Sequence, residues 1–231
     1  VRKYAISYSY SATLFHKTFS SVRPGHVEQS DLHDWIAFAP VFDDRNTAGM
    51  TLRTRQLISR FDKVEDDIEG TRGSLSDGSY LNPLPSTETE VMKIFSVFNE
   101  KEKSAVVQIK SRAHERAIKK GELGNYRMLH FATHGFVNTE DPGLSGIFLA
   151  RDTTLEEDGV LLSDEIYNLD LRADLTVLSA CETGLGKIRK GEGLIGLTRA
   201  LLYAGSKNII VSLWKVADES TSRLMIDFYG E

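Results

Sequence analysis

Two stretches, "WIAFAPVF" at residues 35–42 and "LTVLSA" at residues 175–180, stay apolar on both alternating faces of an extended chain. A strand of that kind cannot face water on either side. It has to be covered twice, the situation of a mostly parallel sheet with helices packed on both faces. Segments with helical periodicity alternate with such runs along the rest of the chain. "AVVQI", "YRMLHFAT", "GIFLA" and "NIIVSLW" read as further strands, and residues 4–15, "YAISYSYSATLF", as another.

Helix signals fall between them. In "PSTETEVMKIFSVF", Thr87 and Glu90 have capping-box spacing, and Val91, Ile94, Phe95 and Phe98 form one apolar stripe. "SRAHERAIKKG" predicts a helix ended by Gly121, and "LLSDEIYNLDL" another. "GLIGLTRALLYAG" is a helix closed by Gly205, and "DESTSRLMIDFY" a last one with Asp218 at its N-cap. Residues 43–86, with their glycines and "GSLSDGSYLNPLPS", predict a flexible surface insertion. The 231 residues fit one large domain or one with a small appendage. A start at Val1 and an end soon after the last helix signal suggest a piece excised from a longer protein.

A net charge of −5 without a Lys/Arg block argues against direct nucleic-acid binding, and no apolar run approaches membrane-span length. One cysteine cannot make an internal disulfide, which suits a reducing cytoplasm. That cysteine, Cys181, lies where an apolar run gives way to the polar "ETGLGKIRKGEG", and His134 ends a second run in the same manner. In an open parallel sheet the strands deliver their ends to one edge, and ligands bind in the crevice there. On neighbouring strands about 4.8 Å apart the imidazole would reach the thiol. A histidine lowers a thiol's pKa from about 8.5, the thiolate attacks a carbonyl, and the imidazolium protonates the leaving amine. The backbone N–H groups of Gly135 and Cys181 are the candidate oxyanion donors. The order His then Cys, about 50 residues apart, with "SAC" opening a turn, fits caspase spacing.

Other sites fit less well. "GEGLIG" at residues 191–196 has dinucleotide-site glycines, but ten residues separate it from Cys181 at the strand end, and no suitably placed acid follows. On a strand, His130 and His134 point the same way about 13 Å apart, too far to share an ion, so His130 is expected to be buried and hydrogen-bonded and no metal is expected.

"LHFATHGFVN", "LSACETGLG", "EGLIGLTRALLYAG" and "IIVSLWKVAD", in that order, resemble a CHAT domain, a bacterial caspase-like peptidase domain related to separase. The resemblance extends upstream through "FAPVFDD" and "LPSTETEV" to essentially the whole chain and is strongest from about residue 126. It implies a caspase-like three-layer α/β/α sandwich, with His134 as base and Cys181 as nucleophile of a cysteine endopeptidase. It also implies a protein substrate, no cofactor, and a regulatory repeat domain or partner that relays an activating signal, in bacterial signalling or defence. Glu182, Thr183 and Gly184 depart from the caspase pattern, and no aspartate-selecting arginines are identifiable. Trp214 and Asp218 keep a separase spacing, which implies Asp218 as a substrate-binding acid for Arg or Lys at the cleaved bond, although Lys215 replaces an acid there. The other class of function open to this fold is a catalytically silent interaction module.

Overall fold

A computed structural model describes residues 32–43, 51, 52, 54, 81–138, 141–151, 157–180, 193–212 and 216–231, with side chains from 196 onward in the segment that begins at 193. The strand expected within residues 4–15, most of the insertion expected at 43–86, Cys181 and Trp214 lie outside the described residues. In chain order the elements are β1 (His33–Ala39), α1 (Pro85–Glu100), β2 (Ala105–Ile109), α2 (Glu115–Lys119), β3 (Tyr126–Ala132), β4 (Gly135–Phe136), β5 (Gly146–Phe148), β6 (Val160–Leu162), α3 (Ser163–Ile166), β7 (Leu175–Ser179), α4 (Gly193–Ala204), β8 (Ile209–Val211) and α5 (Asp218–Gly230).

Five strands form a parallel sheet in the order β2-β1-β3-β7-β8. Its central strands are the doubly apolar ones, as the burial argument requires. Successive residues of β1 go to opposite faces. Ile36 and Phe38 join Leu129, Phe131 and Leu178 against Ile118 of α2, Ile166 of α3 and Leu197, Ala200 and Leu201 of α4. Trp35, Ala37 and Ala39 join Ala132 and Val177 against Val91, Ile94 and Phe98 of α1 and Met225 and Tyr229 of α5. The result is three layers, helix on sheet on helix, of the caspase-like α/β kind. Stacked rings add to both interfaces, Trp35 on Phe98 at 5.3 Å and Phe38 on Phe131 at 5.4 Å between centroids.

A second, antiparallel sheet of β4, β5 and β6 follows directly from the end of β3. It corrects one expectation. Residues 161–171 are not one helix, because Leu161 and Leu162 pair with β5 and only Ser163–Ile166 are helical. Ile166, at the end of the short helix, and Leu171, reached by irregular chain, are buried all the same, so their spacing imitated one long helix without requiring it. The helix expected over 111–121 is also shorter. Lys110–Arg112 form a 3-10 turn, the His114 imidazole accepts from the Ala117 N–H at 3.2 Å, and Gly121 at φ +80° ends the segment.

The capping box of Thr87 and Glu90 is corrected as well. Helix α1 starts earlier, at Pro85, whose missing N–H suits the first turn. The Thr87 hydroxyl donates to the Leu84 carbonyl at 2.6 Å, and Glu90 is drawn into the core by His130. Helix α4 does close at Gly205, φ +122°, whose N–H donates to the Leu201 carbonyl at 3.1 Å. Gly196, within the "GEGLIG" stretch, packs against the turn at Pro142, where a Cβ would lie 2.5 Å from the Pro142 carbonyl oxygen. That glycine is required for packing.

Candidate active site

Strands β3 and β7 are neighbours and parallel, with Ala132 opposite Ser179. His134 follows Ala132 by two residues at the carboxyl edge of the sheet. It is completely buried. The next strand-like segment, β4, begins at Gly135, and the Phe148 N–H of β5 donates to the His134 carbonyl at 2.9 Å. The neighbouring Thr133 hydroxyl donates to the Phe148 carbonyl. The small antiparallel sheet thus grips the main chain of the histidine turn on one side.

The imidazole itself is held by other segments of the chain. Its Nε2 lies 2.7 Å from the main-chain carbonyl oxygen of Asn82. A carbonyl only accepts, so Nε2 carries the proton and Nδ1 carries the lone pair of the neutral ring. Asn82 is invisible as a functional residue in sequence, because its contribution is a carbonyl common to every residue. One local signal bears on it: Asn82 precedes Pro83, and a residue before proline favours extended conformations.

The Phe42 ring packs beside the imidazole, 5.2 Å between centroids. To bring it there the chain turns sharply after β1. Val41 and Phe42 adopt φ of 64° and 57°, and the Phe42 N–H donates to the Pro40 carbonyl at 2.7 Å. Left-handed conformations at consecutive β-branched and aromatic residues cost on the order of 1–3 kcal/mol each. The Leu84 N–H donates to the Val41 carbonyl at 2.6 Å, so the strained turn and the Asn82 segment brace each other.

Gly135, the expected oxyanion donor, is buried at the start of β4. Cys181 lies outside the described residues; Ala180, one residue before it, is buried. Asp218 is the first residue of α5, with Ala217 in the N-cap position. It is only 7% exposed, and its Oδ2 accepts from the Ser86 N–H of α1 at 2.9 Å. The acid expected to cap its own helix therefore caps the neighbouring one. His130 is buried and hydrogen-bonded, as expected from its strand position, with Glu90 Oε1 at 2.8 Å from Nε2 and the Tyr229 hydroxyl at 3.3 Å from Nδ1. Among the described residues no group of three or more His, Cys, Asp or Glu is placed to hold a metal ion. No described helix is long and apolar enough to cross a membrane.

A parallel sheet between two helical layers, with a buried histidine at its carboxyl edge, defines a caspase-like α/β protein. The CHAT domain matches residues 1–231, and the chain belongs to that family, a family of caspase-like cysteine peptidases. The chain is similar to Tetratricopeptide repeat protein 28 of Mus musculus, 32% identical over 71 residues. That match covers 31% of this chain and 3% of the mouse protein.

Proposed function

We propose that the protein is a cysteine endopeptidase in which His134 is the general base and acid and Cys181 the nucleophile. The observation that carries this reading is the register of β3 on β7. Ala132 and Ser179 are opposite one another, and His134 and Cys181 each follow by two residues. The alternation agrees too: Met128 and Ala132 on β3, and Leu175 and Val177 on β7, face the α1/α5 layer.

In this mechanism the Nδ1 lone pair takes the thiol proton while Nε2 stays bonded to Asn82. The thiolate forms a C–S bond to the scissile carbonyl carbon, and the C=O electron pair moves to oxygen, stabilised by the N–H groups of Gly135 and Cys181. The imidazolium returns its proton to the leaving nitrogen as the C–N bond breaks. A water deprotonated by His134 then hydrolyses the thioester and releases the thiolate. The likeness to a tetratricopeptide repeat protein supports a domain that acts beside a helical repeat array; the substrate of this reading is a protein, and its activator a partner or repeat segment.

Because the chain has one cysteine, alkylation by iodoacetamide reports on Cys181 alone. At pH 6.5 the wild type is expected to react about tenfold or more faster than a free thiol of pKa about 8.5. His134→Ala should return the rate to that of the free thiol and lower hydrolysis of a mixed fluorogenic peptide panel by about 10²–10⁴-fold. Equal rates in wild type and variant would remove the dyad. The complete burial of His134 is the observation that favours the other reading, a catalytically silent interaction module. That reading predicts the same slow labelling in both proteins.

A further inference from the structure

A main-chain carbonyl cannot be aimed by its own side chain. The Asn82 oxygen that holds His134 is placed by what fixes the chain on either side of it. Upstream in contact, that is the strained turn at Val41 and Phe42, through the Leu84 N–H. Downstream it is Ser86, the second residue of α1, which α5 grips twice. Asp218 Oδ2 accepts the Ser86 N–H at 2.9 Å, and the Ser222 hydroxyl donates to the Ser86 carbonyl at 3.1 Å. Both gripping residues are buried. The carboxylate stands in the first turns of two helices at once, its own α5 and the neighbouring α1, where the free N–H groups and the macrodipoles favour an anion. Lys101 Nζ donates to the Gly230 carbonyl at 3.2 Å at the opposite ends, so α1 and α5 lie parallel and are tied at both ends.

We propose that Asp218, assisted by Ser222, is a positioning residue for His134: through Ser86 it sets the head of α1, and with it the Asn82 carbonyl that orients the imidazole. The inference rests on the Cys181–His134 reading above. It differs from the role that resemblance implies for Asp218. An acid that receives a substrate cation must turn its oxygens to the substrate, whereas Oδ2 here already accepts the part-buried Ser86 N–H. The contact that Oδ2 makes is that of a cap. A displaced carbonyl would let the ring rotate, and a misplacement of about 1 Å can cost about a hundredfold in rate.

The test uses the intact protein with Asp218→Ala, Asp218→Asn, Ser222→Ala and His134→Ala. Two quantities are read: the pH profile of Cys181 alkylation by iodoacetamide, and the rate and P1 preference on a fluorogenic peptide panel. Asp218→Ala should lower kcat by about 10–100-fold with KM within about twofold, and move the midpoint of the alkylation profile toward that of an ordinary thiol. Asp218→Asn keeps an acceptor for the Ser86 N–H and should restore the profile and bring kcat to within about threefold of wild type. Ser222→Ala should show a smaller shift in the same direction. A folded Asp218→Ala with the wild-type profile overturns the proposal. So does Asp218→Asn that loses only basic P1 peptides with the profile unchanged, the result for a substrate-binding acid. If Asp218→Ala does not fold, a wild-type profile in Ser222→Ala overturns it. His134→Ala labelling like wild type would instead sink the dyad itself, a distinct outcome.

Discussion

His130 and His134 share a chain segment, a strand parity and complete burial, yet their surroundings differ in kind. His130 is closed on both ring nitrogens by side chains from the two helices above it, Glu90 of α1 and Tyr229 of α5. A ring so enclosed ties three elements together and has no nitrogen left to exchange a proton with anything that arrives. At the sheet edge, His134 has one nitrogen fixed by a neutral main-chain carbonyl, which orients the ring without exchanging a proton with it. Burial alone separates nothing here. What the described contacts contrast is an imidazole held by two titratable side chains and one held through Nε2 by a main-chain carbonyl.

The comparison is broken most decisively at the edge. His134→Ala should lower peptide hydrolysis by about 10²–10⁴-fold, the usual worth of general acid–base catalysis, on top of a loss of about 1–3 kcal/mol in urea unfolding from removing a buried, hydrogen-bonded ring. Glu90→Ala should cost stability without touching the chemistry. Removing a wholly buried carboxylate strands the His130 Nε2 in the core, at a cost of about 3 kcal/mol in urea unfolding, and leaves the pH profile of Cys181 alkylation in place. A Glu90 variant that stays stable but loses that profile would mean that the inner histidine takes part in the chemistry.

A second buried glutamate sharpens the contrast from the other face of the sheet. Glu115 of α2, 2% exposed, pairs with Lys119 and accepts the Gly159 N–H at 3.2 Å, while Glu157 and Glu165 crowd the same ammonium at 3.3 and 2.7 Å. Burial, outweighing the pull of Lys119, raises its pKa to about 7 from 4.5. On Lys119 burial acts downward, but its hydrogen bonds to Glu115 and Glu165 prevail and keep it protonated. A raised carboxyl pKa means that the folded chain binds the proton more tightly than the unfolded one. Stability from this group is therefore complete below pH 4.5 and is lost as pH climbs to 7, on the order of 2–3 kcal/mol. Glu115→Gln mimics the protonated form and keeps an acceptor for Gly159. It should match wild type near pH 4.5 and exceed it at pH 7.5, and a gap between the two that does not change with pH would contradict the burial argument.

Much of this arrangement is legible in the residues themselves. Continuous apolar runs announced β1, β3 and β7, and with them the one sheet edge to which His134 is delivered. Gly205 announced the end of α4. The misreadings have a common source, since local pattern cannot know its tertiary partner. Glu90 looked like a capping residue until His130 claimed it, and Leu161 and Leu162 looked helical until β5 paired with them. Asn82 and Ser86 act through main-chain atoms, which no side-chain pattern reports. Asp218 looked like the cap of its own helix, and only the contact across 132 positions of sequence shows which N–H it takes.

The smallest expected effect is the most specific test of the inner histidine. With Nε2 donating to Glu90, Nδ1 is the acceptor available to the Tyr229 hydroxyl at 3.3 Å. Burial pushes that phenol's pKa up, so it remains an O–H donor throughout the working pH range. Tyr229→Phe keeps the ring against Trp35 and Phe98, whose centroids lie 6.0 and 5.9 Å away, and removes only the oxygen. The bond is long, so the loss should be about 1 kcal/mol in urea unfolding, with no change in the alkylation profile of Cys181. A larger loss would mean that the buried network is cooperative, Glu90 losing its grip on His130 once the ring can turn. A shifted alkylation profile would mean that the two histidines are coupled along β3, and that the inner one is part of the machinery at the edge.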